Sequence, residues 1–476
     1  MPPPNVLLIT TDQHNAEIIG CAGNEVVRTP NIDRLADEGV VFDSAFTPHP
    51  ICTPARTSIF TGQYAGHHGV PYNINIRPDT PPPPEHRGLS SRATAFPQVL
   101  AASGYTTSFF GKLHAKHRGK ANFGLQHVKL AEGKGQFIEH GAPPDDYRQY
   151  LAAKGHRDDA WRTWELPGYA KNGHVTCPLP EEDYIDTWTA TAALEHLRQV
   201  EPPFFSWVSF SGPHTPWDPP EPYATMYQPA DIPMPARRDG ELQEKHPEWV
   251  SRLAKTIPAI PWTSNDPDAA GGIRVAYGRF SDHQVRGMLA AYYGQVSLID
   301  AQVGRLLALL DERGLRDDTL IVFTADHGDY LGNNWAFFKY GAPYDSLARV
   351  PMVISWPGEA AAGARRPELV SLIDIAPTLM DAAGTLMADA PDGGSLIPLL
   401  EDEQIEWREE LLVETGGVKG LITPEWRYIR WEDGFEELYD RTRDPHDRRN
   451  LVRRPEHLGT CMQLAGRLGR LEGLFA

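Results

Sequence analysis

Five short apolar runs punctuate the chain: Val6–Thr10, Thr106–Phe110, Phe204–Phe210, Leu320–Thr324 and Met352–Trp356. A strand covered on both faces reads as an unbroken apolar run, so these predict buried parallel strands. Between them, apolar residues recur at helical spacing over Asn31–Glu38, Phe96–Ala102, Thr187–Gln199, Val285–Arg313 and Ile373–Ala383. In the longest, Val296, Ile299, Val303, Leu306, Leu307 and Leu310 form one stripe that Gly314 ends. Strands alternating with helices predict an α/β fold, a large, mostly parallel sheet sandwiched by helices. Beyond Gly384 the texture shortens. Glu410–Glu414, Gly420–Thr423, Tyr428–Trp431 and Glu437–Tyr439 predict a small antiparallel sheet, and a last helix spans about Pro455–Leu474. The expected boundary divides a domain at 1–385 from a smaller α+β domain at 386–476.

Composition narrows the partners. The 476 residues carry 45 Lys and Arg against 63 Asp and Glu, a formal charge of −18, which argues against nucleic acid and anionic membrane as partners. No apolar run approaches the length that spans a bilayer, and no secretory leader pattern opens the chain, so a cytoplasmic location is expected. Cys21, Cys52, Cys177 and Cys461 follow neither zinc nor disulfide-framework spacing. The 43 prolines cluster in long connections such as Pro81–Pro84 and Pro213–Pro222, which suit the walls of a site.

In an open α/β sheet, ligands bind beyond the carboxyl ends of the strands. There the chain places Asp12, Gln13 and His14 after the first run, Lys112 and His114 after the second, His214 after the third, and Asp326 and His327 after the fourth. Any one of these could be an ordinary loop residue, but four strand ends delivering such groups to one edge point to a site. Asp12, Asp326 and His327 supply two carboxylates and an imidazole, a set for one divalent cation. The oxygen donors suit Ca²⁺, Mg²⁺ or Mn²⁺, and the histidine tilts the choice toward Mn²⁺.

The segment Ile51–Gly62 is the sharpest local signal. Thr53 can cap a helix, Pro54 suits its first position and Gly62 its end, so Cys52 falls at a helix N-terminus, where amides and dipole stabilise an anion. Arg56 follows one turn later, able to fix an oxyanion beside position 52.

Cys52-Thr-Pro-Ala-Arg56 with Thr61-Gly62 resembles the signature of the formylglycine-dependent sulfatases of the alkaline phosphatase superfamily. So do Asn5–Gln13, Arg28–Leu35, Gly111-Lys-Leu-His114, Gly212–Pro216, Tyr293-Gly294 through Asp300, Thr324-Ala-Asp-His-Gly328 with Lys339, Asp374–Thr378, and Glu437–Asp440 ahead of Asp444-Pro445. The motifs run in the family's order along the whole chain. The resemblance implies an alkaline-phosphatase-like fold and hydrolysis of a sulfate monoester by formylglycine made from Cys52. It implies a metal, typically Ca²⁺ with Mn²⁺ as the alternative, bound by Asp12, Asp326, His327 and the modified Cys52, with Gln13 as a further oxygen ligand. Many sulfatases have Asp where this chain has Gln13, and Asn where it has His327.

By the same resemblance, one hydroxyl of the hydrated aldehyde attacks sulfur, and the other then loses its proton, to His114, as sulfate leaves. Lys112 holds a nonbridging oxygen, Asn73 contacts the bound anion, and His214 and Lys339 stand at the leaving group, one as general acid. Trp335, Phe337, Phe338 and Tyr340 around Lys339 argue against a solvated lysine. His67, His68 and the other three cysteines read as structural. The implied partners are a small sulfate ester and a formylglycine-generating enzyme, and the C-terminal helix offers a surface to a second copy of the chain. A phosphonate or phosphate ester hydrolase is the alternative, favoured by Gln13 and His327 and opposed by Lys112 and His114. A non-catalytic protein that binds sulfated ligands is a third reading. The pocket walls are expected from residues 115–183 and 215–285, whose Trp, Tyr and His leave the substrate open.

Overall fold

The computed structural model describes residues 3–74, 88–119, 121–133, 144–156, 163, 166, 168, 172–254, 280–339, 341–401 and 405–473. Tyr340, the Pro81–Pro84 cluster and much of both expected pocket walls lie outside them.

Eight strands form the large sheet: β1 (Asn5–Asp12), β2 (Val40–Phe46), β3 (Thr106–Gly111), β4 (His127–Leu130), β5 (Phe204–Pro213), β6 (Thr319–Ala325), β7 (Met352–Ser355) and β8 (Ala364–Ser371). Their order is β4-β3-β5-β1-β6-β7-β2-β8. The sheet is mixed and mostly parallel, as the sequence implies. One strand departs from the expectation: β7 runs antiparallel to both β6 and β2, so its carboxyl end does not join the site edge. An apolar run reports burial on two faces and carries no information about direction.

Alternation along β1 explains the layering. Val6 and Leu8 face a core shared with Ala55, Ile59 and Phe60 of the helix Cys52–Thr61 and with the helices Phe96–Ala102 and Ile375–Ala382. Leu7 and Ile9 face the opposite core, built with the helices Pro30–Asp37, Ile185–Leu197 and Asp282–Glu312. The last begins at a reciprocal Ser281–Gln284 capping box and stops before Gly314, whose φ of 64° suits a residue without Cβ.

A second sheet, β9 (Leu411–Thr415), β10 (Val418–Ile422), β11 (Trp426–Trp431) and β12 (Glu436–Asp440), is antiparallel throughout. One face packs Leu412, Leu421, Tyr428 and Leu438 on the helix Leu458–Gly473. The other packs Val418, Ile429, Trp431 and Tyr439 on Tyr330, Tyr344 and Leu347. The small sheet therefore backs the segment that follows β6 and carries Lys339.

Candidate active site

Register gathers the strand ends. Asp12 pairs with Pro213, Thr11 with Ala325, and Gly111 with Ser209, so Asp12, Asp326, Lys112 and His214 emerge side by side from four adjacent strands. Gly111 has φ 104°, and a Cβ there would meet the Ser209 carbonyl oxygen at 2.0 Å. Only glycine lets β3 turn Lys112 toward Asp12 so closely.

Cys52 is the first residue of its helix and fully buried. Its Sγ lies 2.7 Å from Lys339 Nζ, 3.3 Å from His327 Nε2 and 3.7 Å from Asp12 Oδ1. Burial and Asp12 push its thiol up, while Lys339, Lys112 and His327 outweigh them and leave it below the usual cysteine value. The surroundings of position 52 thus favour an anion, in keeping with its place at a helix N-terminus. The cap differs from expectation: Ile51 occupies the cap position without a side-chain bond, and Pro54 is the third helical residue. Thr53 Oγ1 donates to the His114 carbonyl at 2.8 Å, and Asn73 Oδ1 accepts from Thr53 N at 3.0 Å. Asn73 therefore caps this helix from outside it.

Arg56 is also buried. Its guanidinium donates to Asp12 Oδ2 and Asp326 Oδ2, both at 3.0 Å, to the Lys112 carbonyl at 2.5 Å and to Ser209 Oγ at 2.7 Å. The expected contact with an oxyanion gives way to a clamp on two carboxylates: Arg56 takes both Oδ2 atoms. Both Oδ1 atoms face His327 Nε2, at 4.0 Å from Asp12 and 3.7 Å from Asp326.

Ligand atoms of Asp12, Cys52, Asp326 and His327 lie within 4.8 Å of one another. His327 Nδ1 bonds to the Gly328 carbonyl at 2.9 Å, which leaves Nε2 for the cluster. Burial pulls the His327 imidazole down, yet Asp326 and Cys52 raise it above its ordinary value. Gln13 Oε1 is buried and makes no hydrogen bond among the described residues. Two carboxylates, a fixed imidazole and an orphaned amide oxygen fit one divalent ion.

On the other side of Cys52, Lys112 Nζ lies 2.7 Å from Asp12 Oδ2. Burial raises the Asp12 carboxyl, and Lys112, Lys339 and Arg56 hold it well below the usual range. Lys339 is 4% exposed, and its Nζ lies 3.0 Å from His214 Nε2. His214 Nδ1 bonds to the Thr215 carbonyl at 2.6 Å. Burial, with Lys112 beside His114 and Lys339 beside His214, keeps both imidazoles neutral, well below the ordinary value.

The sulfatase profile matches residues 4–385, and the profile for the C-terminal part of N-sulphoglucosamine sulphohydrolase matches residues 333–473. The chain belongs to the sulfatase family. This sulfatase is 30% identical to an arylsulfatase of Clostridium perfringens over 486 residues, covering 95% of this chain and 91% of the relative. It is 32% identical to a multifunctional alkaline phosphatase superfamily protein of Trinickia caryophylli, covering 86% and 80%. The phosphonate monoester hydrolase of Agrobacterium radiobacter superimposes with a TM-score of 0.82 at 27% identity, over 99% of this chain and 96% of that one. The family makes this sulfatase a sulfuric ester hydrolase.

The strand-end residues Asp12, Gln13, Lys112, His114, His214, Asp326 and His327, the helix residues Cys52 and Arg56, and Lys339, which only the family resemblance singles out, gather around one buried centre in the sulfatase fold. It sets His67 against Asp392 and His68 against Ser58, away from that work. Four further residues support the centre without any local motif to reveal them. Ser209 donates to the Lys112 carbonyl, and Glu132 accepts from His114 N, holding that residue at φ 39°. Tyr292 donates to the Gln13 carbonyl, and Asp329 accepts from Gln13 Nε2 at 2.5 Å.

Proposed function

We propose that this chain hydrolyses a sulfate monoester to an alcohol and sulfate, with position 52 as nucleophile. The observation that carries the reading is Cys52 itself, buried at a helix N-terminus between a cation-binding donor set and the Lys339–His214 pair. Formylglycine, the modified residue that members of this family generally carry, supplies as its hydrate an oxygen nucleophile and a second hydroxyl through which sulfate is released. A divalent ion held by Asp12, Gln13, Asp326 and His327 supplies positive charge that acidifies the nucleophile.

The chain's own residues do the rest. Lys112, anchored to Asp12, sets a fixed cation beside a nonbridging oxygen of the substrate. Neutral His114 is able to take a proton from position 52. His214 spends its Nδ1–H on the Thr215 carbonyl, so its Nε2 accepts from Lys339. Lys339 is therefore the group with a proton for the leaving oxygen, and His214 orients it. Arg56 touches no substrate in this scheme and acts by holding the two carboxylates. Among the described residues no helix is long and apolar enough to cross a membrane.

A second reading, hydrolysis of a phosphonate ester, is favoured by Gln13 and His327 and by the likeness to the Agrobacterium radiobacter enzyme. Aryl sulfate and aryl phosphonate esters with one leaving group, assayed on protein co-expressed with a formylglycine-generating enzyme, separate the two. A kcat/KM ratio favouring sulfate supports the first reading, and a ratio favouring phosphonate overturns it. Peptide mass spectrometry of residue 52 from the native host tests the modification. An unmodified Cys52 there would leave a binding protein for sulfated ligands.

A further inference from the structure

Gln13 is held more tightly than a lone metal ligand needs to be. Its φ of 62° is left-handed, a conformation that a residue with a side chain adopts only when its surroundings insist. Its N–H donates to Asp326 Oδ1 at 3.0 Å, and its carbonyl accepts from Tyr292 OH at 2.8 Å. Asn15, two residues on, donates from Nδ2 to the Asp329 carbonyl at 2.8 Å. Among the described residues the side chain makes one polar bond: Nε2 to Asp329 Oδ2. Asp329 is fully buried, and its other oxygen accepts from Leu331 N and Phe338 N, both at 2.8 Å. Both Asp329 oxygens thus accept, which commits the Gln13 nitrogen and leaves Oε1 as the other end of the amide.

We propose that Asp329 is a positioning residue that fixes the Gln13 amide with its oxygen toward the metal. This rests on the metal-site reading above. The same carboxylate ties Phe338, and with it the neighbouring Lys339, to the metal side of the centre. The pairing also accounts for the departure at position 13. An aspartate there would set a second buried carboxyl group against Asp329 and remove the amide N–H that donates to its Oδ2. Gln13 and Asp329 are thus a matched pair, amide against acid, and the amide is the neutral member that still offers an oxygen.

The test is calorimetric titration of chelator-treated full-length protein with Mn²⁺ and with Ca²⁺, together with the thermal midpoint of the metal-free protein. Asp329→Asn keeps an oxygen for Leu331 and Phe338 but turns an amino group toward Gln13, which must then rotate its own amino group into the cluster. Metal affinity is expected to fall by about 10- to 100-fold, the usual effect of losing such a support. Gln13→Glu combined with Asp329→Asn exchanges acid and amide, and is expected to return the affinity to within about threefold of the wild type. In the metal-free protein that double variant should melt above either single variant, a comparison that holds even if Asp329→Asn alone folds poorly. Wild-type affinity in Asp329→Asn, or a double variant no better than both singles, overturns the proposal while the metal site stands. A wild-type protein that binds neither ion overturns both.

Discussion

Replacing Arg56 by Met keeps the length and apolar bulk of the stem and removes the guanidinium. Asp12 retains Lys112 at 2.7 Å, whereas Asp326 loses the cation that bonds its Oδ2. The Lys112 carbonyl keeps the Ser209 hydroxyl at 2.8 Å, so the main loss is one broken, fully buried ion pair. Such a loss costs about 3–5 kcal/mol, because an uncompensated charge stays behind. Unfolding entropy of about 2.1 cal/mol/K per residue gives about 1 kcal/mol/K for a chain of 476 residues. The metal-free variant should therefore melt about 3–5 °C below the metal-free wild type. A divalent ion supplies Asp326 with the positive charge that Arg56 provided, so saturating metal should raise the Tm of the variant more than that of the wild type. Thermal unfolding followed by circular dichroism, with and without chelator, reads both quantities. A metal-free loss under about 1 °C, or an equal loss with metal present, refutes the view that Arg56 and the ion share one pair of carboxylates.

Lys339→Met should lower kcat/KM for a poor leaving group by about 10²- to 10⁴-fold and for an activated aryl sulfate far less. A series of aryl sulfates of graded leaving-group pKa checks this, and an equal loss across the series removes Lys339 from proton donation. Replacing Lys112 and His114 together by Ser should move the sulfate-to-phosphonate ratio of kcat/KM toward phosphonate, and an unchanged ratio assigns discrimination to other residues. Asn73→Ala removes the outside cap on Thr53 N and should cost about 1 kcal/mol, about 1 °C in Tm, with Asn73→Asp close to wild type. Burial raises the Asp345 carboxyl, but Arg349 and Arg427 hold it far below the usual range. A depressed folded value means that its stabilisation is complete above the unfolded pKa near 3.9 and is lost as pH falls below it. The urea midpoint of Asp345→Asn should accordingly lie well below wild type at pH 7 and approach it below about pH 4; a constant gap would contradict the ion-pair account.

The sequence made the central strands and their ends legible because β1, β3, β5 and β6 are buried on both faces, and a doubly covered strand announces itself as an apolar run. β7 was legible as a strand but not in its direction, and β2, β4 and β8 were hidden by their own chemistry. In β2 the run breaks at Asp43 and Ser44, which are not fully buried. Edge strand β4 is a four-residue alternation, and edge strand β8 carries Arg365, Arg366 and Pro367, the residues with which an edge avoids pairing. The site was legible where a motif falls at a strand end. It was illegible where a role depends on distant pairing. Gln13 meets Asp329 across 316 residues and Tyr292 across 279, whereas Lys339, 287 residues from Cys52, is singled out only by the family resemblance.

That distance dependence has a consequence for how this centre can vary. Each polar group near position 52 is matched by a group from a distant part of the chain: Asp326 by Arg56, Asp12 by Lys112 and Arg56, Gln13 by Asp329, His214 by Lys339. With every one of these side chains buried, changing one member leaves a charge or a donor without a partner, at a cost well above that of a surface substitution. A shift between the sulfate and phosphonate patterns of the superfamily therefore has to proceed by pairs. The present chain combines an amide–acid pair at the metal with Lys112 and His114 at the nucleophile. Exchanging each set alone and then both together measures how far their contributions to metal binding and to substrate choice are independent.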